Sequence, residues 1–74
     1  MTLELIEERL STSPFLPLTI HVADGRFFHI DHPDFAVLLR MDRTLIVYFA
    51  PGQAAYIDVG SITTIETTDA GASV

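Results

Sequence analysis

Three histidines, His21, His29 and His32, with Asp31 beside the last of them, are the residues whose types and spacing come nearest to chemistry. Imidazole and carboxylate both ligate divalent ions such as zinc. Two histidines and an aspartate would leave a coordination position open for water or substrate. Whether they converge depends on strand register. The segment 16–22 alternates Leu16, Leu18, Ile20 and Val22 with Pro17, Thr19 and His21, a period of two, and Asp24-Gly25 signals a hairpin with a return strand over 26–30. A two-residue loop would set Ile20 opposite His29 and mix apolar with polar on both faces. A three-residue loop over Ala23, Asp24 and Gly25, with Gly25 left-handed in a bulge, pairs Ile20 with Phe28 and Leu18 with Ile30 and leaves one face apolar. That register makes His21 and His29 diagonal neighbours, roughly 7–8 Å apart, on the opposite face. His21, His29 and Asp31 are therefore the candidate metal ligands. The plainer reading of the same residues is a half-exposed polar face whose histidines stack on Phe27 and bond solvent. His32, in Asp31-His32-Pro33-Asp34, reads as part of a turn.

Other chemistries lack their residues. There is no cysteine, hence no thiol nucleophile, thiolate metal cluster or disulfide. Ser11, Ser13, Ser61 and Ser73 lie in turns or near the end of the chain without a nucleophile-elbow pattern, and the four glycines are isolated, forming no phosphate-binding loop. No cofactor is implied, and the chain reads as a non-enzymatic one.

The elements that position these residues begin with a helix over 2–10. Thr2 is its N-cap, Leu3, Ile6 and Leu10 form its apolar stripe, and Pro14 stops it. After the hairpin, 35–39 and 44–49 read as strands apolar on both faces, joined across Met41-Asp42-Arg43. In the second of them Leu45, Val47 and Phe49 point one way and Ile46 and Tyr48 the other. Pro51-Gly52 turns the chain into 54–59, and Gly60-Ser61 kinks it before 62–66. The fold class is α+β: a short N-terminal helix and a strongly bent antiparallel sheet of about five strands, the element order of SH3-like and Sm-like small barrels. Residues 1–66 form one domain and 67–74 a flexible tail.

Ten acidic residues against four arginines give a net charge of −6, which repels phosphate backbones at long range. No apolar stretch approaches the roughly 18 residues of a membrane span, and Glu4, Glu7 and Glu8 stand where a signal peptide is basic. A cytoplasmic location follows as the expectation. Against that polar balance, 49% of the residues are hydrophobic and the mean hydropathy is +0.38, more apolar material than so small a sheet hides within one copy.

The run Pro14-Phe15-Leu16-Pro17-Leu18-Thr19-Ile20, then Asp24-Gly25-Arg26, then His32-Pro33-Asp34-Phe35, with Ile62 and Ile65 beyond, resembles a family of short uncharacterised bacterial proteins. The resemblance spans nearly all of the chain except its last residues. It implies a bacterial cytoplasmic setting and a shared fold, and brings no catalytic residue with it. Sm proteins, whose first hairpin also carries an Asp-Gly-Arg turn, are a more distant resemblance. Their RNA-binding segments have no counterpart here: Phe35-Ala36-Val37-Leu38-Leu39 stands near the first, and Asp58 stands where the second needs an arginine.

The functional expectation is an interaction or assembly module that forms a homo-oligomer, a dimer first of all, through Phe35, Val37, Leu39, Ile46 and Tyr48, with a further protein partner possible. The alternatives are a small-barrel ligand or RNA binder and a metal-dependent activity at the His21 and His29 face. The charge balance yields a direct expectation. At near-physiological salt the protein binds short single-stranded RNA or DNA no tighter than about 10 μM, and a sub-micromolar constant in an equilibrium titration would contradict the electrostatic reading.

Overall fold

A computed structural model describes residues 2–67. Helix α1 (Leu3–Ser11) starts where the Thr2 hydroxyl accepts from the Leu5 N–H at 3.3 Å, with Glu4 and Arg9 placed to suit the helix dipole. It ends where the Ser11 and Thr12 hydroxyls donate to the Glu7 and Glu8 carbonyls at 2.8 and 2.7 Å. So short a helix is marginal by itself. It is held by burying Ile6 in the core, with Leu3 and Leu10 packed against it, and by the 2.7 Å ion pair between Glu7 and Arg40.

Six strands follow: β1 (Leu18–Val22), β2 (Phe27–Ile30), β3 (Ala36–Leu39), β4 (Thr44–Ala50), β5 (Gln53–Asp58) and β6 (Ile62–Thr67). They form two three-stranded antiparallel sheets, ordered β2-β1-β6 and β3-β4-β5, and do not close into a barrel. This corrects the expectation of one bent sheet of about five strands. Two 3-10 turns make the difference. Val59–Ser61 turns the kink at Gly60-Ser61 into a complete change of sheet: β5 pairs with β4, and β6 pairs with β1. Pro33–Phe35 separates β2 from β3, with proline in its first turn and His32 as its cap, the His32 Nδ1 accepting from the Asp34 N–H at 3.2 Å. β6 also runs through Thr67, which pairs with Leu18, one residue past the domain limit at 66. The remainder of the expected tail, 68–74, lies outside the described residues.

The hairpin register is the one set by the three-residue loop: Leu18 faces Ile30, Ile20 faces Phe28 and Thr19 faces His29. Gly25 has φ +95° and donates its N–H to the Val22 carbonyl at 2.9 Å. Asp24 accepts from the Arg26 N–H at 3.0 Å and from its Nε at 2.7 Å. The backbone N–H, followed by the guanidinium, holds the Asp24 carboxyl below the usual carboxylate range. The linkage sign is that of a depressed acid: its contribution is present above the unfolded-state pKa and disappears as the pH falls through the folded one.

The core lies between the inner faces of the two sheets. Leu18, Ile20, Val22, Ile30 and Ile62 of the first meet Ala36, Leu45, Val47, Ala55 and Ile57 of the second, with Val59 and Ile6 completing the cluster. Period-two alternation accounts for each of the strand contributions. Phe49 departs from the expected inward set of Leu45, Val47 and Phe49. The β4–β5 register shifts between Tyr48 and Ala50, so Phe49 sits at a bulge, half exposed, its ring 5.9 Å from that of Phe28.

Gly25 offers a direct test of the hairpin. A Cβ built there meets nothing within 4 Å, so Gly25→Ala probes backbone strain alone. Chemical denaturation should show a loss of about 1 kcal/mol; an unchanged midpoint would mean that the loop relaxes out of the left-handed conformation.

Candidate functional site

The outer face of the first sheet carries the histidines. Parity along β1 and β2 puts Thr19, His21, Phe27 and His29 away from the core, and Glu66 of β6 joins them beside His21. The Nε2 of His21 bonds Glu66 Oε1, and the His21 ring lies 6.0 Å from that of Phe27. The Nδ1 of His29 is 2.9 Å from the Thr19 hydroxyl, and its Nε2 is 2.8 Å from Asp31 Oδ1. His32 caps the 3-10 turn and lies 3.6 Å from Asp34. The register thus places His21, His29 and Asp31 on one side of the sheet as the sequence predicts, but each histidine turns to its own carboxylate. Among the described residues, no group of three or more histidines, cysteines, aspartates or glutamates could hold a metal ion. Glu66 is the partner that hairpin analysis misses, because the pairing of β6 with β1 joins residues 45 apart in the chain.

The outer face of the second sheet is apolar. Val37 pairs with Ile46 and Ile46 with Tyr56, making one cross-strand row; Leu39 lies along β3 from it and Tyr48 along β4. Tyr56, at 71%, Tyr48, at 48%, Val37, at 41%, and Leu39, at 37%, are exposed, while Ile46 in the middle of the row is only 9% accessible. Ile46 stands apart from the core cluster, although Leu45 and Val47 on either side of it belong there. Val37 and Tyr56 are its cross-strand neighbours on this face. The apolar side chains of helix α1, Leu3, Ile6 and Leu10, pack with the inner-face residues.

Four of the five residues expected at an interface, Val37, Leu39, Ile46 and Tyr48, therefore share this face. Phe35 comes before β3, at the end of the 3-10 turn, with its ring 5.8 Å from that of His32. Tyr56 is the member that the expectation lacks. Counting back from the Pro51-Gly52 turn sets Tyr56 opposite Val47; the register shift between Tyr48 and Ala50 moves it to Ile46 and so onto this face.

A cavity of about 480 Å³ opens where the end of β2 meets the β4–β5 turn, lined by His29, Asp31, Phe35, Tyr48, Phe49 and the 50–52 turn. The sequence contains no linear signal for it, because its walls come from both sheets. Among the described residues, no helix is long and apolar enough to cross a membrane. Comparison with protein-family models, with curated proteins and with solved structures gives no match to this chain.

The paired histidines lead to an expectation for metal. Zinc at about 100 μM should shift the thermal midpoint by less than about 1 °C, and removing His21 should not alter that response. A stabilisation that His21→Ala abolishes would mean that the pairs with Glu66 and Asp31 yield to a metal.

Proposed function

We propose that this chain is a non-enzymatic interaction module that self-associates, as a dimer, through the outer face of the β3-β4-β5 sheet. The observation that carries the reading is the row Val37, Ile46 and Tyr56 with Leu39 and Tyr48 beside it, on the side of the sheet turned away from both the core and the helix. Soluble monomers tend not to leave such a face contiguous and wet. Thr44 and Asp58, opposite and beyond Leu39, give it a polar border on one side. A two-fold axis through the row would set each Ile46 against its copy and close the assembly at two chains.

A ligand binder built on an open, two-sheet relative of the small barrels is the second reading, and the strand order favours it. If β2 and β3 are counted as halves of one strand interrupted at Pro33, the chain runs through a helix and five strands, with the last strand returning to the first after a 3-10 turn. That order supports the SH3-like or Sm-like plan, and the sequence resemblance to short bacterial proteins supports a cytoplasmic setting. Nucleic acid is a poor ligand for such a module at a net charge of −6, with Arg26 and Arg40 paired to Asp24 and Glu7.

Light scattering at about 50 μM should return twice the 8.2 kDa chain mass. Val37→Glu combined with Tyr56→Glu should return the monomer mass with unchanged circular dichroism, because both side chains are exposed and outside the core. Ile46→Asp should also dissociate the assembly. A native protein of monomer mass at that concentration sinks the proposal.

A further inference from the structure

We infer that the cavity between β2 and the β4–β5 turn binds an organic cation, a guanidinium or ammonium group on an apolar stem. This goes beyond self-association and does not depend on it. A volume of about 480 Å³ is in the range of small-molecule sites. Phe35, Tyr48 and Phe49, all about half exposed, supply aromatic surface, and Ala50 and Pro51 add apolar wall. The faces of aromatic rings attract cations. Among the described residues, Asp31 is the only carboxylate in the lining, and no arginine lines it.

The carboxylate is positioned by a relay. His29 lies between two partners, its Nδ1 2.9 Å from the Thr19 hydroxyl and its Nε2 2.8 Å from Asp31 Oδ1, which fixes where the carboxylate sits. The Oδ2 of Asp31 has no ion-pair partner among the described residues. An anion entering the cavity meets this carboxylate and the field of a chain of net charge −6. A neutral apolar molecule meets the rings and leaves the carboxylate unanswered. A cation on an apolar stem satisfies both.

Tyr48 also belongs to the proposed self-association face, so the test relies on Asp31 and Phe49, which do not. The protein is titrated with benzylammonium and with N-acetyl-arginine methylamide, and with benzyl alcohol and N-acetyl-citrulline methylamide as uncharged counterparts. Chemical shifts of the Phe35 and Phe49 rings and the Ala50 methyl are followed, and light scattering is run on the same samples. The charged probes should saturate these shifts at least about fivefold more tightly than the neutral ones. Asp31→Asn should remove that preference, Phe49→Leu should weaken binding of the charged probes, and Asp34→Asn, outside the cavity, should leave affinity within about twofold. Tighter binding of one charged probe tells whether a free amine or an arginine side chain fits better. Equal affinity for charged and neutral probes, no saturable shift at these residues up to about 20 mM, or a preference that survives Asp31→Asn would overturn the inference. The light-scattering mass decides self-association separately.

Discussion

The pairing of β6 with β1 is the contact on which the rest of this small structure depends. β1 lies in the middle of the first sheet, bonded on one edge to its own hairpin partner and on the other to the last strand described. Without β6, the first sheet would be an isolated hairpin, which is marginal in water. With it, Ile62 and Ile65 come against Val22 and Ile20, and the apolar face becomes wide enough to roof the second sheet. The turn Val59–Ser61 makes this possible by releasing the chain from β5 at the point where it must cross. A further tie runs across the same junction: the Ala23 N–H donates to the Ser61 carbonyl at 2.8 Å, joining the first hairpin loop to the crossing.

Much of the fold was legible because local chemistry and hydrophobic period agree. The Thr2 cap, the Leu3, Ile6 and Leu10 stripe, and the loop over Ala23, Asp24 and Gly25 each had one arrangement that kept apolar side chains together, and that arrangement is present. Phe49 was misplaced because alternation assumes an unbroken strand; the bulge next to Pro51-Gly52 shifts parity by one residue. The number of sheets was misjudged for a related reason. Composition marks Gly60-Ser61 as a bend but not how far the chain turns there, which is decided by what the next strand can pair with.

The candidate sites divide along the same line. The Val37 and Ile46 pair of the apolar face can be assembled from turn length and parity, whereas Tyr56 joins it only through the bulge in β4. The bond between His21 and Glu66 and the cavity lined by Asp31 and Phe49 need the positions of strands distant in sequence. Their residues are unremarkable in isolation: a glutamate near the end of the described chain, an aspartate before a turn, a phenylalanine in an apolar run. The contrast between the two outer faces is also physical. On the first sheet, long polar side chains bond one another across strands, while on the second, Tyr56 and Val37 flank Ile46 and no charge is set among them.

The pairing of distant strands also bears on the order in which the molecule can be made. During synthesis, β1 and β2 emerge together and can close their hairpin at once, and β3 to β5 can do the same as a meander. The free edge of β1 must wait until a segment 45 residues further along has left the ribosome. Until then Leu18, Ile20 and Val22, all buried in the finished fold, lack the cover that β6 brings. Folding of this unit therefore waits for β6, and its rate is governed by the search for one non-local strand pairing. The nascent chain in that interval displays an unpaired, apolar strand edge, the kind of surface that holdase chaperones engage and that neighbouring chains on a polysome can capture.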